Sequence, residues 1–259
     1  MSIMSAITGG DDNIADVQPQ FNSLFLAKVT NIKDPDNLGR IKCKPVSADA
    51  DIKETEWCYH LAPWGSNGSG IFFFPNVDDL VVLAYMFGEV SRPLVLGSVW
   101  IGADKAPYPI KDGKNEVASL KTKKGIEIKF DMVDGKEKLT LTTPKGATVK
   151  IDDEAESIAV SDKGGNNALK IDIKGGNIEL KAKTKLTLSA GDTKLTLQSS
   201  GTAELKASQS IKAEAAQIEL KAQSALKASG ATAEVKAQGQ LTLQSSGITN
   251  VKGSLVKLN

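Results

Sequence analysis

From about Leu169 to Asn259, apolar and polar residues alternate in short runs such as Lys185-Leu186-Thr187-Leu188, Lys194-Leu195-Thr196-Leu197 and Gln240-Leu241-Thr242-Leu243, with Gly, Ser, Asp or Asn between them. The first apolar residue of each run falls at Ile171, Ile178, Leu186, Leu195, Ala203, Ile211, Ile218, Leu226, Ala233, Leu241 and Ile248, a repeat of about eight residues. Within most runs the apolar residue returns at i+2, as in Ile178/Leu180 and Ala233/Val235, while Lys, Glu, Thr and Gln fill the places between. That is strand alternation with one buried face.

Eight residues make one short strand and one turn, too little for a coil that encloses a core of its own. The apolar face must be covered by other copies of the chain, and three strands around one axis predict a trimeric β-prism. The expected trimer core is Ile178, Leu180, Leu186, Leu188, Leu195, Leu197, Leu205, Ile218, Leu220, Val235, Leu241 and Leu243. No Phe, Tyr or Trp follows Phe130, and inward positions shrink to Ala between Ala203 and Ala237, so the axis is narrow. At one strand spacing of ~4.8 Å per unit, residues 120–259 predict a rod of roughly 80 Å. Two other readings compete. The Ala, Lys, Glu and Gln of 203–240 favour helix by propensity and point to a coiled coil, but Gly201, Gly230, Gly239 and Gly247 oppose a long helix. Polar low-complexity disorder has no reason to keep apolar residues in register.

Upstream the pattern changes. Leu24–Val29 and Arg40–Val46 read as a hairpin around the turn Lys33–Gly39, Trp57–Ala62 as a third strand, and Leu80–Met86 and Leu94–Trp100 as further strands, with the apolar run Ile71–Pro75 between. Five or six closely spaced strands predict a small closed or Greek-key barrel. This segment holds all three Trp and most of the Phe, so it is expected to supply the conventional core. Asp34, Asp36 and Asn37 carry turn chemistry and Gly39 permits positive φ. Arg40 is expected either to bond a carboxylate such as Asp78 or Asp79 or to stay solvated.

The front and rear differ in charge: residues 1–120 hold 10 Lys/Arg against 15 Asp/Glu, and residues 121–259 hold 22 Lys, no Arg and 16 Asp/Glu. The rear lysines are interleaved with Glu and lack aromatic companions, which argues against nucleic-acid binding and for a solvated sheet face. Cys43 and Cys58 are expected as reduced, buried thiols. The N-terminus shows no signal peptide, and no apolar run reaches membrane-span length.

The hairpin Asn31–Lys42, with Asp34-Pro35-Asp36-Asn37-Leu38-Gly39-Arg40-Ile41, resembles the "DPxxLGRV" hairpin of the contractile-tail baseplate spike family: phage baseplate assembly protein V, the oligosaccharide-binding (OB) fold domain of hub–spike proteins, and the VgrG proteins of type VI secretion. Trp57, Ala62-Pro63, Gly70–Pro75, Val77–Val81 and Arg92–Trp100 follow that family in order and spacing, and the eight-residue repeat follows them. The resemblance implies an all-β chain: a flexible leader at 1–20, an OB-fold barrel at 21–103, a neck at 104–119, and an intertwined trimeric β-helix or β-prism spike at 120–259. It implies a homotrimer that sits on a baseplate hub and pierces a target envelope, touching that envelope only transiently. VgrG proteins begin with a large hub domain not seen here, so the hub is expected as a separate protein. Relatives often carry a conical tip of the PAAR-repeat kind, and Leu255, Val256, Leu258 and Asn259 are the expected tip-docking residues. Assembly is expected in a bacterial cytoplasm, as part of a virion or phage tail-like particle.

Catalytic chemistry finds no residues. His60 is the only histidine and stands beside Tyr59 in a strand-like run, and two Cys with one His cannot make a zinc site. No phosphate loop or nucleophile elbow is present. The acids Asp152, Asp153, Glu154 and Glu156 read as a solvated turn before a calcium site. No enzyme, cofactor or metal is expected. The alternative is a trimeric tail-fibre or adhesin-type cell-surface binding protein, which needs a distal aromatic-rich surface that 131–259 lack.

Overall fold

The computed structural model describes residues 23–46, 53–102 and 104–257. The expected leader at 1–20 lies outside the described residues. The chain divides into two units, 1–183 and 184–259.

The first unit opens with a barrel. Its strands are β1 (Phe25–Asn31), β2 (Lys42–Pro45), β3 (Tyr59–His60), β4 (Gly65–Ser66), β5 (Ser69–Gly70), β6 (Leu80–Tyr85) and β7 (Pro93–Ser98). Five of them form one sheet in the order β2-β1-β6-β7-β3, in which β3 runs parallel to β7 and the other pairs are antiparallel. A reciprocal pair of main-chain hydrogen bonds between Ile41 and Cys58, 3.1 and 2.7 Å, joins the two edges of that sheet. The ladder is therefore closed, and no edge is left to recruit another strand. Register shifts between Val29 and Asn31 and between Val82 and Leu83 bend the strands into the closure. Alternate residues of each strand meet inside: Ala27, Val29, Ile41, Cys43, Cys58, Val81, Leu83 and Val95 are all fully buried. This is the small OB-fold barrel expected from the sequence.

The β1–β2 turn is built around one carboxylate. Asp34 accepts hydrogen bonds from the backbone N–H groups of Asp36, Leu38 and Arg40 at 3.1, 2.9 and 3.2 Å. Arg40 grips the same carboxylate with Nε at 3.0 Å and Nη2 at 2.7 Å, and Nη2 also reaches Asp36 at 2.5 Å. This corrects both expectations for Arg40, a pairing with Asp78 or Asp79 and a solvated side chain; those two acids bind Lys28 and Lys123 instead. Six residues of turn bring Asp34 back beside Arg40, and a fork matches a carboxylate it can reach locally. The third strand is shorter than expected, Tyr59–His60 alone, and the Trp57 ring lies against Arg40 and Lys42. Gly65–Gly70 forms the small β4–β5 hairpin, and Ile71–Pro75 contributes no strand.

After the barrel the first unit continues as a seven-stranded antiparallel meander: β8 (Val117–Lys121), β9 (Glu127–Asp131), β10 (Lys138–Thr142), β11 (Thr148–Asp152), β12 (Ser157–Ser161), β13 (Ala168–Asp172) and β14 (Asn177–Lys181), each pairing with its sequence neighbours. These strands have five residues each. The turn after β8 and the turn after β10 share one design. Thr122 Oγ1 accepts from the Ile126 N–H at 3.0 Å and Thr143 Oγ1 from the Ala147 N–H at 3.1 Å. Gly125 and Gly146, at φ +86° and +82°, supply the left-handed residue that both turns need.

The second unit begins with a three-stranded antiparallel sheet of β15 (Lys185–Ala190), β16 (Thr193–Gln198) and β17 (Ala203–Lys206). Among the described residues no strand and no backbone–backbone hydrogen bond follows Lys206. Residues 207–257 instead carry no regular element, with bends at 208–209, 216, 223–224, 231, 238–239, 246–247 and 254. No α-helix occurs among the described residues, which removes the coiled coil.

Candidate assembly face

In an antiparallel meander, directly opposed residues share a face, so the register decides what each face displays. Here the register aligns two columns. One runs Ala118, Phe130, Leu139, Ile151, Ile158, Ile171, Ile178; the other runs Leu120, Ile128, Leu141, Val149, Val160, Leu169, Leu180. Every member is apolar, and most stand open in the single chain: Leu139 is 37% and Ile178 72% exposed, while Ile128, Ile158, Leu169 and Ile171 are half-buried. The expected core residues Ile178 and Leu180 stand at the end of these columns. Most of the columns' other members lie upstream of the eight-residue repeat, where alternate apolar residues in each five-residue strand are the only signal.

The opposite face is polar and already satisfied. Asp152 is 3% exposed, held by Lys150 at 2.9 Å, Lys138 at 3.3 Å and the Ala155 N–H at 3.1 Å. These contacts, Lys150 first, hold its carboxyl down at about 2. Glu154 extends the network to Lys136 and Lys138. The acids of 152–156 thus include a buried, lysine-paired aspartate rather than a wholly solvated turn. A sheet that satisfies its charges on one side and leaves two columns of Leu, Ile and Val bare on the other is built to be covered on the bare side.

The second unit repeats the arrangement and then changes it. Leu186 lies opposite Leu197, and Leu188 opposite Leu195, which lies opposite Leu205, so all five expected core residues share one face. Beyond Lys206 the expected core residues Ile218, Leu220, Val235, Leu241 and Leu243 are exposed, Leu220 to 72% and Leu243 to 78%. The bends return every seven or eight residues and separate the segments that carry these side chains. The sequence period therefore appears as a period of the backbone, but with the main-chain donors and acceptors unused. A row of unpaired main-chain donors and acceptors is a template on which another chain can pair.

Leu255 and Val256 are exposed on the last described stretch; Leu258 and Asn259 lie outside the described residues. In the barrel, His60 packs at 5.6 Å from the Phe74 ring and burial pushes its pKa down, a structural histidine. Cys43 and Cys58 are both buried and free, and the Cys43 thiol is pushed far up by its hydrogen bond to Cys58 and by burial. Among the described residues no group of three or more His, Cys, Asp or Glu is placed to hold a metal ion, and no helix is long and apolar enough to cross a membrane.

Comparison with known proteins agrees with this architecture. Residues 25–100, which span β1 to β7, match the family described as the type VI secretion system/phage-baseplate injector OB domain. The chain is also similar to the type VI secretion system spike protein VgrG3 of Vibrio cholerae serotype O1, 24% identical over 139 residues. That match covers 49% of this chain and 14% of VgrG3, so the chain spans a small part of that relative's length. The closed barrel with its hairpin at Asp34–Arg40 is thus the part of the chain that matches the injector OB domain, and the chain as a whole is similar to a VgrG spike protein.

Proposed function

We propose that the chain is the structural central spike of a contractile injection machine: a phage tail, a tailocin or an extracellular injection system. Three copies join through the bare columns of the meander and through residues 207–257, where main-chain groups of one copy pair with those of the others. The barrel sits on a separate baseplate hub, and the prism points at the target envelope as a stiff rod. The role is mechanical rather than enzymatic. The observation that carries this reading is the pair of unbroken apolar columns on a sheet whose other face is mostly polar. Burying each Leu, Ile or Val gains about 1.5–3 kcal/mol before ordering entropy is subtracted, and the three chains share that gain.

Light scattering on the full chain tests it. A particle of three times 27.4 kDa is expected; a monodisperse, folded monomer overturns the proposal. The hub and tip are the finer part of the reading. The exposed Leu255 and Val256, with Leu258 and Asn259, dock one tip protein of the PAAR-repeat kind per trimer. Deleting 255–259 should leave the trimer folded and abolish capture of that tip in a calorimetric titration. Full-affinity capture by the truncated spike would place docking elsewhere. Assembly in the cytoplasm of the producing bacterium completes the proposal, with the spike leaving the cell only as part of the tail-like particle.

A further inference from the structure

Between the barrel and β8 the chain runs through about sixteen residues with one ladder contact of their own, the isolated bridge between Lys111 and Lys114. Such a connection would swing freely unless fastened. Its single aromatic residue, Tyr108, stands in Pro107-Tyr108-Pro109. The Tyr108 hydroxyl donates to Glu127 Oε1 on β9 at 2.5 Å, while Glu127 Oε2 meets Lys121 of β8 at 3.5 Å. Lys121 and Lys129 place their ammonium groups 5.6 and 5.3 Å from the centre of the Tyr108 ring. Glu127, Lys121 and Lys129 all lie on the polar face of the hairpin, opposite Leu120, Ile128 and Phe130. Farther on, the Met132 N–H donates to Glu116 O at 2.8 Å, and Lys123 in the β8–β9 turn reaches Asp79 of the barrel at 3.0 Å.

We infer that Tyr108 is a latch that fastens the connecting segment to the outer, polar face of the first hairpin of the spike, so that barrel and spike move as one body. The side chain has no other evident task. It contributes nothing to the barrel core, and it lies on the face that the apolar columns do not use, so fastening the strap and covering the columns do not compete. Its mechanical value rests on the spike reading: thrust entering at the barrel crosses this segment in every copy, and an unfastened strap would turn push into hinge bending. With Lys123–Asp79, Tyr108–Glu127 gives the junction two separated ties, which resist rotation where one would act as a pivot.

The strap carries its own reporters, because Lys105, Lys111 and Lys114 are trypsin sites. Limited digestion of the full-length protein, followed by mass spectrometry, reads how often the strap opens. Tyr108→Phe, which deletes one hydroxyl, should speed cleavage at these three lysines about tenfold, the scale of a single charge-assisted hydrogen bond lost from a local opening step. Tyr108→Ala should speed it further, and Tyr59→Phe, a change in the barrel, should leave it at the wild-type rate. Light-scattering mass should be the same in Tyr108→Phe and wild type. Unchanged cleavage at all three lysines in both Tyr108 variants overturns the latch. A wild-type protein that proved monomeric yet kept its strap protected would sink the spike reading and leave the latch standing.

Discussion

Leu188 and Leu195 face each other directly across β15 and β16, while their neighbours Ser189 and Lys194 form the next pair on the opposite side of the same ladder. One step along the strand thus separates a residue that must be covered from one that must stay wet. Leu188→Asp would bring three carboxylates to the axis of the proposed trimer, with no cation on that face to meet them. The trimer should be lost at micromolar concentration, read as a threefold fall in light-scattering mass. Ser189→Asp, beside Lys194, should assemble as wild type. If Leu188→Asp assembled with unchanged stability, the columns would not be the interface.

The barrel stands on its own closed core, so a defect there should stay there. Leu83 is fully buried in a ring of Val29, Val81 and Val95, and Leu83→Ala should destabilise the barrel by about 2–5 kcal/mol. The expected result in calorimetry is an earlier barrel transition with the spike transition unmoved. A parallel fall of both would mean that the barrel holds the spike together.

Acid should loosen the polar face before it touches the apolar one. Asp152 has its carboxyl held at about 2, below the ordinary 3.8, by Lys150, the Ala155 N–H and Lys138. A group with a depressed pKa in the folded state stabilises above its unfolded value and loses that contribution as pH falls through the folded one. Wild type should therefore lose melting temperature between about pH 4 and pH 2. Asp152→Asn should melt lower than wild type at pH 7 and show a flatter acid limb. An unchanged acid limb in that variant would assign the loss to other carboxylates.

The sequence made some of these relations legible and hid others for physical reasons. Period-2 alternation and turn residues were enough to place the β1–β2 hairpin, the barrel strands carrying Val81, Leu83 and Val95, and the apolar face of the spike. Arg40 went to Asp34 rather than Asp78 or Asp79, because the folded-back turn puts the near carboxylate within reach of its fork, and turn geometry is not a matter of composition. The β4–β5 ladder at Gly65–Gly70 escaped because glycine and serine alternate in nothing. The Tyr108 latch had one faint signal, a lone tyrosine between two prolines in a segment poor in strand pattern. Least visible was the change at Lys206. Leu195 and Leu241 sit in near-identical runs, yet the first has in-chain ladder partners and the second has none. Pattern reports which face is buried, not which chain supplies the neighbouring strand.

That change yields the sharpest solution test. In the single chain, residues 207–257 use no backbone–backbone hydrogen bond, although their bends keep the seven-to-eight-residue period. If other copies supply the missing partners, the amides of Ile218, Leu220, Val235, Leu241 and Leu243 will be protected from hydrogen exchange as strongly as those of β16, whose partners lie within the chain. Protection of 10³-fold or more over an unstructured peptide is expected on the scale of sub-global opening, and it should vanish together with the trimer in Leu188→Asp. The β8–β14 meander draws its hydrogen bonds from its own chain, so it should keep part of its protection in that variant. Rapid exchange throughout 207–257 in a particle of trimer mass would show that the columns assemble without main-chain pairing in this segment, and the three chains would then lie side by side there rather than wound together.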